Sequence, residues 1–215
     1  TKRHVSLEIP SSFGQLLRDR ASDRAFLRAP LEEVTSTTSL TFKEFANAAS
    51  SVGPQLAQRG YLPGDRIGLI VAHPIDFAVQ FIGGMAAGYW MAPLDPTLDY
   101  DGLASFAGQV QALGLRAVLA DRSAPDHSPI PWHAPETGAS APLLASSGTT
   151  GTPKVMMLPQ QQVLTTGTYI ARHNELTSGD VGFNPLPLWH INAEVVALSA
   201  SLIAGSELVL QRRFK

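Results

Sequence analysis

The fold is set by residues 64–92, which read GDRIGLIVAHPIDFAVQFIGGMAAGYWMA. The glycine turn at the start leads into the apolar run 67–71, and a continuous apolar run is typical of a strand that is buried on both faces. Pro74 then opens a stretch with helical spacing of apolar residues, which ends at Gly88. Because a further strand is expected over 89–92, this stretch predicts a strand–helix–strand unit of a parallel α/β sheet.

Upstream of this unit, the sequence carries a clear helix start. Thr41 and Glu44 form a capping box, in which each side chain accepts a hydrogen bond from the backbone amide of the other residue. Apolar residues recur at helical spacing after them, and Gly60 supplies a C-terminal stop. We therefore expect a helix that begins after Thr41 and is kinked at Pro54.

Downstream, a third helix is expected over Tyr100 to Leu113 and a further strand over Ala117 to Leu119. Five prolines interrupt residues 121–142, which predicts an irregular connector. The connector could be a domain linker, but strand-like residues resume directly at Leu143 to Ala145, which favours a surface excursion of one domain. The predicted fold class is α/β, built from βαβ layers with a parallel sheet.

Composition excludes several classes of function. The chain has 215 residues and a net charge of −2, with scattered basic residues, so no nucleic-acid or anionic-membrane partner is expected. It contains no cysteine, which excludes disulfides, thiolate metal sites and a cysteine nucleophile. No protein metal site is predicted, and a cytoplasmic location agrees with the lack of cysteine.

No membrane segment is predicted either. The N-terminal residues 1–4 lack the apolar core of a signal peptide. The apolar stretch Ile191 to Leu210 is interrupted by Glu194 and Glu207, and a charge at a bilayer centre costs about 2.5–3.5 kcal/mol on insertion scales. This stretch is therefore expected to be a buried helix followed by a strand.

The segment with the clearest chemistry is Ser146-Ser147-Gly148-Thr149-Thr150-Gly151-Thr152-Pro153-Lys154. Its glycines allow the backbone to approach an anion closely, and its hydroxyls and amides can donate hydrogen bonds to phosphate oxygens. Lys154 adds a positive charge suited to a leaving polyphosphate. The preceding apolar strand places the segment at the carboxyl edge of the sheet. It is not a Walker A loop, because Pro153 precedes the lysine and Val155 follows it; the alternative is an ordinary surface turn.

This segment resembles the phosphate loop of the adenylate-forming superfamily, which comprises acyl- and aryl-CoA synthetases, peptide-synthetase adenylation domains and luciferases. The resemblance implies that the loop folds over the phosphates of ATP while a carboxylate attacks the α-phosphorus and pyrophosphate leaves. It implies a catalytic role for Lys154. Beside the loop, Val155 and Gln160 stand where the family usually has glycine and histidine. The implied ATP phosphate-binding residues are Ser146, Ser147, Gly148, Thr149, Thr150, Gly151, Thr152 and Lys154.

A second motif, residues 185–193, reads PLPLWHINA and is similar to the Pro-Leu-aromatic-His segment of the same superfamily. The resemblance implies that His190 is catalytic and lies between the nucleotide and acyl sites, and that Trp189 shapes the substrate pocket. Taken alone, His190 would more often be a structural histidine at the start of a helix, but the phosphate-loop segment upstream favours a site residue. This form of the motif is most similar to carnitine-type and related acyl-CoA ligases. Asp65 and Arg66 also match a family landmark, but taken alone they are expected to lie in a solvated turn.

The resemblance extends from about Phe13 to Phe214, whereas a complete member is more than twice as long. We therefore expect residues 1–215 to be the N-terminal part of a large adenylation domain, one incomplete domain whose partner is the missing C-terminal part of the same enzyme. The implied activity is that of an ATP-dependent ligase that joins a small-molecule carboxylic acid to coenzyme A with Mg²⁺. Two alternatives stay open: an adenylation enzyme that loads a carrier protein, and an inert fragment. The isolated chain is expected to be inactive.

Overall fold

The computed structural model describes residues 7–30, 37–95, 114–120, 143–146 and 154–211. The helix expected over Tyr100 to Leu113 and the connector 121–142 lie outside these ranges.

Within the described residues, the helices are α1 (Phe13–Arg20), α2 (Phe42–Gln58), α3 (Pro74–Ala86), α4 (Gln160–His173) and α5 (Ala200–Ala204). A π-helical segment, Asn192–Ser199, runs directly into α5. The strands are β1 (Ala25–Pro30), β2 (Thr37–Thr41), β3 (Arg66–Ile70), β4 (Trp90–Pro93), β5 (Ala117–Ala120), β6 (Leu143–Ser146), β7 (Lys154–Met157), β8 (Val181–Asn184) and β9 (Glu207–Leu210). The expected order of helices and strands is confirmed for the described residues.

A parallel sheet forms around β3. Its strand order is β4-β3-β5, and both neighbours of β3 run parallel to it. The helix α3 connects β3 to β4 and ends before Gly88, whose φ of +92° is a conformation that glycine adopts without steric cost. The predicted strand–helix–strand unit and the α/β fold class are therefore confirmed.

A second, mixed sheet joins the two ends of the described chain. Its order is β2-β1-β9-β8, with β1 and β2 antiparallel and β9 parallel to both β1 and β8. An ion pair of 2.9 Å between Arg28 Nη2 and Glu207 Oε1 links neighbouring strands β1 and β9. The chain thus returns at its end to pair with a strand near its beginning.

The helix α2 begins as the capping box predicts. The Thr41 amide donates to Glu44 Oε2 at 2.8 Å, and the Glu44 amide donates to Thr41 Oγ1 at 3.1 Å. Pro54 lies inside the helix, which ends two residues before Gly60. At its start, α2 packs on β1 through aromatic rings, because the Phe26 ring stacks on Phe42 with centroids 4.4 Å apart.

The expectation of a solvated turn at Asp65 is wrong. Asp65 is 5% exposed, and its Oδ2 accepts a hydrogen bond from the Leu62 amide at 2.8 Å. The same oxygen lies 3.2 Å from Nε of Arg116, the residue before β5. A buried carboxylate needs such partners, so Asp65 is a structural residue that ties the turn before β3 to the beginning of β5.

The strands on either side of the phosphate-loop segment pair with each other. β6 and β7 are antiparallel, so that Ser146 lies opposite Lys154; we call this pair of strands the hairpin of β6 and β7. The segment between them lies outside the described residues, so its expected position at the carboxyl edge of the sheet stays a prediction.

The stretch Ile191 to Leu210 forms helix and then strand, as expected, although its helix begins with the π-helical segment. Among the residues that the structure describes, no helix combines the length and apolar character needed to cross a membrane.

Candidate functional site

The hairpin of β6 and β7 brings the two ends of the predicted phosphate loop together. Ser146 and Lys154 form the last described pair of its ladder. The residues between them, 147–153, lie outside the described residues. Their phosphate contacts, and those of Ser146 and Lys154, therefore stay predictions.

Helix α4 follows β7 after only Leu158 and Pro159, and it packs against the π-helical segment and α5. The helices approach closely at Gly167. A Cβ at this position would lie 2.9 Å from Ile203 Cδ1 and 3.4 Å from Ser199 Cβ. Because Gly167 has no side chain, α4 can pack closely on the π-helical segment and on α5.

The second motif begins in a firmly held turn. Asn184 at the end of β8 is 3% exposed, and its Nδ2 donates to the Leu186 carbonyl at 2.7 Å. The His190 amide donates to the Pro187 carbonyl at 3.1 Å. Trp189 is partly buried against the core, whereas the His190 side chain is exposed. The imidazole of His190 is therefore open to a ligand.

A cavity of about 180 Å³ lies between α4 and the π-helical segment. One wall consists of the residue after β7 and three residues of α4, namely Leu158, Gln162, Val163 and Thr166. The opposite wall begins at the residue after His190 and consists of Ile191, Asn192, Val195 and Val196. Trp189 and His190 precede Ile191 in the chain and are not part of this wall.

The cavity, which we call the α4 cavity, is polar at its mouth and apolar at its base. Gln162, Thr166 and Asn192 are exposed, whereas Val163 and Val195 are 1% and 6% exposed. None of the described residues in its wall carries a charge. It can therefore accept a group that is apolar at one end and hydrogen-bonded at the other.

Glu194 is a residue that the sequence interpretation missed. It is 0% exposed, and neither of its carboxyl oxygens has a hydrogen-bond partner among the described residues. Burial raises the pKa of Glu194 well above its ordinary value, because the charged form loses its hydration. The sequence shows Glu194 as a single acidic residue in an apolar helical run. A glutamate that faces the solvent would give the same pattern, so the sequence does not indicate that Glu194 is buried.

The side chains that usually bind metals do not cluster in the described part of the chain. Within the described ranges, no group of three or more His, Cys, Asp or Glu side chains could hold a metal ion.

Comparison with known proteins defines the class of this protein. The profile of the family described as AMP-binding enzyme matches residues 17–136 and 121–215. The chain therefore belongs to the AMP-binding enzyme family.

Individual relatives are consistent with this assignment. The chain is 29% identical to the sulfoacetate–CoA ligase of Cupriavidus necator over 96% of its own length and 46% of that protein. It is 28% identical to a component of the linear gramicidin synthase of Brevibacillus parabrevis, over 81% of its own length and 2% of that protein. The chain thus spans less than half the length of either relative.

A solved structure shows the same fold. The fatty acyl-adenylate ligase from L. pneumophila, solved in complex with acyl adenylate and pyrophosphate, superimposes with a TM-score of 0.81 over 93% of this chain and 39% of that one. At 19% sequence identity this likeness concerns the fold alone. The fold is that of the N-terminal region of adenylate-forming enzymes.

Proposed function

We propose that this chain is the N-terminal part of the adenylation domain of an ATP-dependent acid–CoA ligase. In the first step, a carboxylate oxygen of the acid attacks the α-phosphorus of ATP and the bond to pyrophosphate breaks. In the second step, the thiol of coenzyme A attacks the acyl carbon and AMP leaves. Because ATP is the substrate, we place the reaction in the cytoplasm as part of the same proposal.

One observation carries this proposal: the α4 cavity lies between the helix that follows the first motif and the segment that includes the end of the second motif. Leu158 in one wall lies four residues after Lys154, and Ile191 in the other wall follows His190 directly. A carboxylic acid in this cavity would have its carboxylate near the phosphate loop. Reactions of this kind depend mainly on such positioning and on stabilisation of charge.

The residues present fit ATP by their chemistry. Residues 147–152 offer hydroxyl and amide donors for phosphate oxygens, and Lys154 offers a positive charge for the leaving pyrophosphate. Mg²⁺ would enter with the nucleotide, since it prefers phosphate oxygens together with water and few protein ligands. Exposed His190 would lie beside the reacting carboxylate. Coenzyme A would supply the acceptor thiol.

The test is acid-dependent release of pyrophosphate from ATP by the protein that contains this chain. Lys154→Ala is expected to lower the rate about a hundredfold, because one charge-stabilising group is lost. The control is His173→Ala, since His173 is an exposed residue at the end of α4, away from the α4 cavity. Absence of pyrophosphate release with every acid of a broad panel would refute the proposed ligase.

The likeness to the linear gramicidin synthase supports a second candidate, an adenylation enzyme whose acceptor is a carrier protein. Both candidates share the first step and differ in the thiol of the second. Supplying the enzyme with either coenzyme A or a phosphopantetheinyl carrier protein separates them. The ligase proposal requires formation of the free acyl-CoA.

A further inference from the structure

We propose that the α4 cavity selects acids whose acyl part is short and carries no charge at its far end. This inference rests on the proposed function and names the class of its substrate. It follows from the size of the cavity, from the position of its polar groups and from the lack of charge in its described wall.

The size limits the length of the acyl part. The cavity holds about 180 Å³. An apolar cavity of about 150 Å³ binds benzene, which has about six non-hydrogen atoms. The α4 cavity therefore accommodates roughly six non-hydrogen atoms, which is enough for the alkyl part of an acid such as hexanoate when its carboxylate stays at the mouth.

The apolar residues at the base of the α4 cavity disfavour an acid whose far end is charged. Val163 and Val195, the most buried residues of the wall, are apolar, so the far end of the acyl group would contact hydrocarbon. A second carboxylate or an ammonium group would lose its hydration there without gaining a partner, which is strongly unfavourable. A methyl group at the same position would be favourably buried.

The polar residues at the mouth of the α4 cavity suit the carboxylate of the acid. Gln162, Thr166 and Asn192 are exposed at the mouth and can donate hydrogen bonds without carrying charge. Asn192 lies two residues after His190 and is the polar group nearest to it in sequence. The carboxylate would therefore remain at the mouth, close to His190, while the chain enters the cavity.

Three acids of equal chain length test the inference. Hexanoate, adipate and 6-aminohexanoate differ only at the far end, which is a methyl group, a carboxylate or an ammonium group. Pyrophosphate release by the protein that contains this chain gives kcat/KM for each acid. We expect the value for hexanoate to exceed that for either charged acid about a hundredfold or more, since each 1.4 kcal/mol of differential binding is tenfold.

A charge placed at the base should change this preference. Val195 is 6% exposed at the base of the cavity, so the ammonium group of a lysine there would lie where the far end of the acyl group is expected. Val195→Lys is expected to raise kcat/KM for adipate at least about tenfold relative to hexanoate. The matched control is Val181→Lys, because Val181 is 58% exposed on β8 and lies outside the α4 cavity.

Binding to the 215-residue chain provides a readout that does not need catalysis. The side-chain amide NMR signals of Asn192 and Gln162 are followed during titration with the same three acids. If hexanoate shifts these signals and the charged acids do not, the inference holds even when no pyrophosphate is released and the ligase proposal fails. If adipate or 6-aminohexanoate matches hexanoate in turnover or in binding, or if no acid shifts the signals or is turned over, the inference is overturned.

Discussion

The pKa of the Glu194 carboxyl group depends strongly on its surroundings. It is completely buried, and none of the described residues donates a hydrogen bond to it. The titratable side chains on the elements packed against it are Tyr169, Arg172 and His173 of α4, and none of them pairs with Glu194. The Arg172 guanidinium instead donates to the Leu7 carbonyl. The folded chain therefore holds Glu194 as a neutral acid over a wider pH range than the unfolded chain does.

This difference predicts a pH-dependent stability. The pKa of Glu194 is raised on folding, so its favourable contribution is fully present below the unfolded pKa and is lost as pH rises towards the folded pKa. Above about pH 4.5, the free energy of unfolding of the wild-type chain should fall relative to Glu194→Gln, by up to about 1.4 kcal/mol per pH unit. Urea denaturation between pH 4.5 and 8 measures this difference.

The control for this prediction is Glu175→Gln, which alters an exposed carboxyl group. Its stability should follow that of the wild type across the same pH range. Parallel curves for the wild type and Glu194→Gln would show that Glu194 does not retain its proton in the folded chain.

At the scale of elements, the contact between α4 and the segment after His190 determines the geometry of the site. Within the π-helical segment, Ser199 Oγ donates a hydrogen bond to the Glu194 carbonyl at 2.8 Å. π-helical turns are rare and occur frequently at functional sites. The segment also forms one wall of the α4 cavity, so a change in its packing on α4 would alter the cavity.

Gly167→Val tests this contact. The new Cβ would lie 2.9 Å from Ile203 Cδ1, so the buried Ile203 side chain must shift, and the two further methyl groups of valine crowd the neighbouring helix. Overpacking of this kind costs about 1–3 kcal/mol, which corresponds to a fall in Tm of roughly 2–12 °C for a domain of this size. Thermal denaturation measures the effect. Gly179→Val is the matched control, because the nearest atom to its Cβ would be Thr177 Oγ1 at 3.7 Å; equal losses at both positions would contradict close packing at Gly167.

At the scale of the whole molecule, the mixed sheet places a core strand and an outer strand in one layer. Leu208 on β9 is 1% exposed, whereas Val181 and Phe183 on the neighbouring outer strand β8 are 58% and 62% exposed. Large apolar side chains therefore contribute very unequally to stability in different parts of this chain.

Two identical truncations measure this inequality. Phe183→Ala should change the free energy of unfolding by less than about 0.5 kcal/mol, as surface substitutions usually do. Phe45→Ala should cost about 3–5 kcal/mol, because Phe45 is 0% exposed and packs edge-on against Phe26 at 4.8 Å. Urea denaturation of the two variants tests the prediction. A loss above about 2 kcal/mol for Phe183→Ala would show that β8 is packed in solution.

The interpretation of the sequence succeeded where neighbouring residues carry the information. The capping box at Thr41 and the strand–helix–strand unit of residues 64–92 depend on contacts within a few positions or on one hydrophobic period. It failed at Asp65, because the partner Arg116 lies far along the chain.

The class of protein, the strand–helix–strand unit of residues 64–92 and the two motifs of the candidate site could be inferred from the amino-acid sequence, because short motifs and local hydrophobic periods depend on adjacent residues. Three features emerged only from the folded chain: β9 pairs with β1, Leu158 and Ile191 face one cavity, and Glu194 is buried without a partner among the described residues. Those features depend on burial of apolar surface between distant segments, and burial is non-directional and leaves no fixed spacing in the sequence.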